Sequence, residues 1–235
     1  MAKPGELAML IADIFGAEEP TVRQQARVLR DAGLMSKEKA GRGLGSLTSR
    51  DAAHLLIAAA GTRSVAKSVA LLDRPGRLVS GDGKWSPGFV EIAELKRLAS
   101  DHTFAQALEA LIDSAVSGTL QAAAQALEQG SVDLIHDLSP LLNIEVTIYG
   151  PTPRGAILIE ELVTETEGGR YRYRDHFERH FYGSRPVGTK TGNLARMDVP
   201  RPDEMDSDLR TAATFSLRTI ASIGQLLSRD RSAQT

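Results

Sequence analysis

Apolar positions recur at helical spacing through the first third of the chain. Between residues 6 and 15, Leu7, Leu10, Ile11, Ile14 and Phe15 form one stripe, which Gly16 ends. After a turn over "GAEEP", Thr21 is placed to cap a second helix, "TVRQQARVLRDAGLM". Its apolar positions are Val22, Ala26, Val28, Leu29 and Leu34, with Gly33 at the left-handed stop. Residues 35–36 and 46–48 read as the arms of a short hairpin, and its tip, "KEKAGRGLG", is basic and glycine-rich. Thr48 or Ser49 then caps "RDAAHLLIAAA", with Ala52, Leu55, Leu56 and Ala59 inward. The helical pattern continues to Leu72, where Pro75 and Gly76 break it.

"SGDGKWSPG", residues 80–88, is dense in turn formers and marks the best boundary, with Trp85 as an anchor into a core. Helices are expected over 89–98 and over 103–116, the latter with Asp101 near its start and Phe104, Leu108, Leu111, Ile112 and Ala115 inward. An alanine-rich helix follows and ends at Gly130. The period then changes to two. "NIEVTIYG" alternates Ile144, Val146 and Ile148 against Glu145, Thr147 and Tyr149, and "AILIEELV" returns as a second strand across the 151–155 turn. "RYRYRDHF" and "TAATFSL" read as a third and a fourth strand, 183–208 as a long irregular loop, and "RTIASIGQLL" as a short final helix. These patterns predict an α+β chain with an N-terminal, mainly helical domain with a short hairpin over 1–78 and a linker over 79–88. A mixed helical and antiparallel-sheet domain for dimerisation or effector sensing follows over 89–228, with a flexible tail over 229–235.

Composition narrows this picture. With 235 residues and 42% hydrophobic side chains the chain can bury a sizeable core, and it is neither disordered nor fibrous. No apolar run approaches a membrane span and no secretory leader is evident, so a cytoplasmic protein is expected. The absence of cysteine excludes disulfides, thiol catalysis and thiolate metal sites. Net charge is -2, but its distribution is uneven. From Thr21 to Arg50 seven basic residues face two acidic ones, a surplus of five that leaves the remainder at -7. Such local concentration is what phosphate attraction requires.

The order of helix, turn, helix ending "LRDAGLM", basic hairpin and helix resembles a winged helix-turn-helix domain, over roughly residues 4–60. Two helices rather than that family's usual three precede the hairpin. The resemblance implies that "TVRQQARVLR" enters the major groove of double-stranded DNA and that "KEKAGRG" acts as the wing. Arg23, Gln24, Gln25, Arg27 and Arg30 are then candidates to reach DNA, since Arg and Gln can pair bidentately with base edges. Lys37, Lys39, Arg42 and Arg50 are expected mainly on phosphates. The helix turns the five residues of its set through more than half a circle, so they cannot all face one surface.

A second basic stretch runs from Arg170 to Lys190 with aromatic residues interleaved, and Arg170, Arg172 and Arg174 form its candidate surface. The same alternation suits a strand with one buried aromatic face. His176 and His180 lie four apart beside Asp175, a metal-ligand spacing on a helix, but their segment reads as strand and no third ligand emerges. His54 is expected to be packed or to face DNA. His102 adjoins a helix start, and His136 adjoins Asp137. "GRGLG" and "GPTPRG" lack the features of phosphate loops, no nucleophile elbow is present, and Glu160, Glu161, Glu165 and Glu167 fit a solvated segment. Neither a catalytic set, nor a metal site, nor a cofactor is expected.

The resulting expectation is a non-enzymatic, sequence-specific transcriptional regulator, a homo-oligomer with a dimer favoured. The alternatives are a phage or mobile-element DNA-binding factor, such as a terminase small subunit or partition-like protein, and a scaffold using a winged fold for protein contacts.

Overall fold

A computed structural model describes residues 3–36, 47–62, 64–73, 79–80, 92–99, 102–129, 142–150, 154–165, 170–173, 178–183 and 211–231. Its N-terminal part is helical: α1 (Pro4–Phe15), α2 (Glu19–Asp31), α3 (Ser49–Gly61), a 3-10 turn (Val65–Lys67) and α4 (Ser68–Asp73). A mixed region follows, comprising β1 (Val79–Ser80), α5 (Ala93–Lys96), α6 (Phe104–Ser117), α7 (Thr119–Gln129), β2 (Leu142–Gly150), β3 (Arg154–Glu165), β4 (Arg170–Tyr173), β5 (Glu178–Gly183), β6 (Thr211–Ser216) and α8 (Leu217–Arg231). The architecture is a helical bundle followed by helices against an antiparallel sheet.

Local chemistry explains most boundaries. Pro4 opens α1, and Glu6 reaches back to accept the Lys3 N–H at 2.7 Å. Gly16, at φ 57°, closes it. Helix α2 begins at Glu19, two residues before Thr21, because Pro20 fits a first turn that has no use for its missing N–H. Gly33, at φ 74°, lets the Leu34 N–H return to the Leu29 carbonyl at 2.8 Å. At α3, Thr48 and Asp51 cap one another: the Thr48 Oγ1 accepts from the Asp51 N–H, and the Asp51 carboxylate accepts the Thr48 N–H at 2.9 Å. Thr103, rather than Asp101, caps α6 in the same manner with Gln106; Asp101 lies outside the described residues.

Helix α3 is the centre of the molecule. Every residue from Asp51 to Ala58 is buried, so the helix is enclosed on all sides. It packs on α1 and α2 on one side and on α6, β2 and β6 on others. Strand order is β1-β5-β3-β2-β6, with β4 paired to the far end of β3, and every pairing is antiparallel. The register aligns Ile144 with Ile159, and Val146 with both Ile157 and Phe215, all buried. Phe104 of α6 lies so close to Gly155 that a Cβ there would come within 2.7 Å of the ring. Phe15 of α1 meets Phe215 edge to face, with centroids 5.9 Å apart. One continuous apolar cluster therefore joins the N-terminal helices to the sheet and α8.

This arrangement overturns the winged helix-turn-helix reading. Among the described residues the N-terminal quarter has helices and no strand, and every strand lies at or beyond Val79 in a single sheet. Met35 and Ser36 do not enter a strand: Met35 is buried, and the Ser36 N–H donates to the Asp51 carboxylate at 2.7 Å. A backbone donor captured by a side chain is not available to a ladder.

Elsewhere, the β2–β3 hairpin, the strand at 170–173 and the strand at 211–216 occur as the alternation predicts. Strand β5 was not foreseen; "ERHFYG" has no clean alternation and owes its conformation to pairing with β3 on one edge and β1 on the other. The first two residues of the expected 79–88 linker form β1, and α8 extends to Arg231. Thr62 interrupts the long helix expected to reach Leu72, and the expected 89–98 helix is a single turn at Ala93–Lys96 within the described residues. Trp85, the hairpin tip, and the 184–210 segment lie outside the described residues.

Candidate nucleic-acid interface

Helix α2 sorts its polar side chains by angle. Val22, Gln25, Ala26 and Leu29 are buried, whereas Arg23, Gln24 and Arg27 are exposed and Arg30 is half-buried. At about 100° per residue, Arg30, Arg23, Arg27 and Gln24 span an arc of about 120°. The four candidates in this set that are not buried therefore share one face of the helix. Gln25 is the member that does not: it is only 1% exposed, and its Nε2–H donates to the Thr62 carbonyl at 2.8 Å. It ties α2 to the C-terminal end of α3 and is unavailable to a ligand.

On that face, Arg23 forms an ion pair with Glu19 one turn earlier. Its guanidinium also lies over Gly5 of α1, where a Cβ would sit 3.5 Å from the nearest nitrogen. The Arg30 Nε–H points back to the Ala26 carbonyl at 3.4 Å, which orients the guanidinium along the helix. Arg23, Ala26 and Arg30 form one wall of a cleft of about 440 Å³, and Lys3, Pro4, Gly5, Glu6 and Met9 of α1 form the other.

Arg50 is exposed in the first turn of α3. Beneath it, Asp51 is 2% exposed and holds both flanks of the 37–46 segment, accepting from Ser36 on one side and from Thr48 on the other. Lys37, Lys39 and Arg42 lie within that segment, outside the described residues. His54 is packed rather than surface-facing. Its Nδ1–H donates to the Leu34 carbonyl at 2.6 Å, anchoring the turn after α2. Burial lowers its pKa, partly offset by that hydrogen bond. Neither Asp51 nor Gln25 stood out in the sequence as a positioning residue, although the spacing of Thr48 and Asp51 carries a capping signal.

Where it is described, the second basic stretch falls on strands of the sheet. Arg170 and Arg172 stand in β4 opposite Glu165 and Val163 of β3, and Arg174 lies outside the described residues. His180 stands in β5 opposite Ile157, and His176 is outside the described residues. Among the described residues no three His, Asp or Glu side chains converge as a metal-ligand set.

A second cleft, of about 530 Å³, lies along α6 and is bordered by Arg97, His102, Gln106, Glu109 and Asp113. Burial pushes the Glu109 carboxyl above its ordinary pKa, and the Asp113 carboxylate one turn away adds to the shift. Asp113 also accepts the Ser49 hydroxyl at 2.6 Å, joining α6 to the start of α3. His102, buried at 3% exposure, donates from Nδ1 to the Ala99 carbonyl at 2.8 Å. These contacts hold α3 and α6 in place.

No helix among the described residues is long and apolar enough to cross a membrane. Compared with protein-family models, curated proteins and solved structures, the chain matches none.

Proposed function

We propose that this chain binds double-stranded DNA through α2 and acts as a sequence-reading regulator by occupancy, without chemistry of its own. The observation that carries the reading is the sorting of α2: Arg23, Gln24, Arg27 and Arg30 on one accessible arc, with apolar residues and Gln25 turned inward. A single helix presenting several Arg and Gln side chains over about a third of its circumference suits a major groove, which admits one helix and displays a distinct pattern for each base pair. Arg50 adds a cation in the adjoining helix. The packed face of α2, held by Leu29 and by the Gln25 bond to Thr62, supplies the rigidity that base reading needs.

The reading is tested by binding the purified full chain to fragmented genomic DNA at two salt concentrations and sequencing what is retained. An enriched inverted repeat is the expected result for a dimeric reader. Salt-sensitive retention without a motif would place the protein among packaging or architectural binders, and no retention at either salt would refute DNA binding. On the enriched site, Arg27→Ala should weaken binding by about 1–3 kcal/mol and relax the preference at one position, as expected for a lost base contact.

A further inference from the structure

Two features of the cleft between α1 and α2 point to a specific ligand chemistry. Its lining carries three cationic side chains, Lys3, Arg23 and Arg30, against the carboxylate of Glu6, which accepts the Lys3 backbone N–H; Arg23 is also paired with Glu19 beside the cleft. Its apolar lining is Pro4 and Met9 of α1, the latter 46% exposed, beside the buried Ala26 of α2. Met9 is one of only two large hydrophobic side chains exposed to this degree among the described residues, the other being Tyr149 on the sheet. An exposed methionine in a lining that also holds three cationic side chains is not the pattern of an unfinished core.

We infer that this cleft seats a sugar–phosphate unit of the DNA backbone. The cationic side chains match the phosphate, and the exposed Met9 with the adjoining Pro4 matches the apolar face of the neighbouring deoxyribose. Arginine forks suit phosphate oxygens bidentately, and such contacts fix register without reading sequence. Arg23 belongs both to this wall and to the exposed arc of α2, so a backbone phosphate in the cleft lies beside the residues assigned to base edges. The Arg30 side chain, half-buried and turned back along its helix, is better placed for this seat than for a base.

This inference rests on the proposed DNA binding, and the experiment separates the two. Fluorescence anisotropy of a labelled duplex carrying the enriched site, and of a scrambled duplex, is followed from 50 to 200 mM salt for the full chain and for Arg30→Gln, Met9→Ala and Arg27→Ala. Arg30→Gln should weaken both duplexes alike and reduce the salt slope by about one. Its disadvantage relative to the parent should then shrink by about 3.5-fold across that salt range, one phosphate's share of counterion release. Met9→Ala should weaken both duplexes with an unchanged slope, because no charge is lost. Circular dichroism and the thermal midpoint confirm that each variant is folded, and a slope change is a readout that mere destabilisation does not give. If Arg27→Ala behaves as expected while Arg30→Gln and Met9→Ala leave both affinity and slope unchanged, the cleft is not a backbone seat although DNA binding stands. If the parent binds neither duplex, both readings fall. A matching response of the Arg30 and Met9 NMR signals to inorganic phosphate alone, without any effect of the variants on DNA, would also overturn the assignment in favour of a small-anion site.

Discussion

At the scale of single residues, two titratable groups set opposite pH dependences. His54 has a lowered pKa in the folded protein because it is buried, so the unfolded chain binds its proton more readily. Its neutral form therefore favours folding above the ordinary value of 6.5, and that contribution is lost as pH falls through the folded value. Glu109 has a raised pKa, so its protonated form favours folding; the contribution is complete below 4.5 and is lost as pH rises through the folded value. Urea midpoints measured from pH 4 to 8 should show both effects. Glu109→Gln, which mimics the protonated acid, should stabilise the protein at pH 7.5 and have little effect at pH 4. A gain equal at both pH values would mean that Glu109 is not held above its ordinary range. His54→Asn should flatten the loss of stability between pH 6.5 and pH 5.

At the scale of elements, one tight constraint is the approach of α6 to the sheet. Phe104 is fully buried and lies against the face of Gly155, which leaves no room for even a methyl group. Gly155→Ala should lower stability by about 1–3 kcal/mol, the usual range for overpacking a filled core. Trimming the ring in Phe104→Leu should relieve part of that cost, giving a non-additive pair in a double-mutant cycle. Strict additivity would show that α6 and β3 adjust independently. The Thr48 cap of α3, the Gly16 stop and the alternation of β2 are local and follow from spacing alone, whereas α6 is capped by Thr103 and not by the expected Asp101. The cap of α2 lies three residues before the expected Thr21, at Glu18, because Pro20 is a better first-turn residue. The described flanks of the expected hairpin, 35–36 and 47–48, are not strands, for a different reason. "SKEKAGRGLGSLT" has the composition of a hairpin, but Asp51, fifteen residues from Ser36, takes the Ser36 backbone donor.

At the scale of the whole molecule, the shared core makes one cooperative unit the expected thermal behaviour. Phe15 and Phe215 belong to opposite ends of the chain and meet edge to face, a pairing worth about 0.5–1.5 kcal/mol beyond its area. Phe215→Leu should therefore lower the midpoint of a single transition by calorimetry, with the ratio of calorimetric to van't Hoff enthalpy near one. Two resolved transitions would mean that the helical bundle and the mixed region unfold separately despite the continuous apolar cluster.

The same scale explains what was legible beforehand. Sequence alone determined the helix and strand types, most caps, and the basic character of the segment from Thr21 to Arg50, because these follow from side-chain period and from neighbours within a few residues. It also named Arg23, Gln24, Arg27 and Arg30, though with Gln25 among them. Only the tertiary structure decided that Gln25 turns inward to Thr62, that α3 is enclosed on every side, that β5 and β1 extend the sheet, and that α1 closes a cationic cleft against α2. The physical reason is common to all four. Each depends on a partner far along the chain, and a short window of sequence reports which side chains are apolar or charged but not which surface arrives to bury, pair or oppose them.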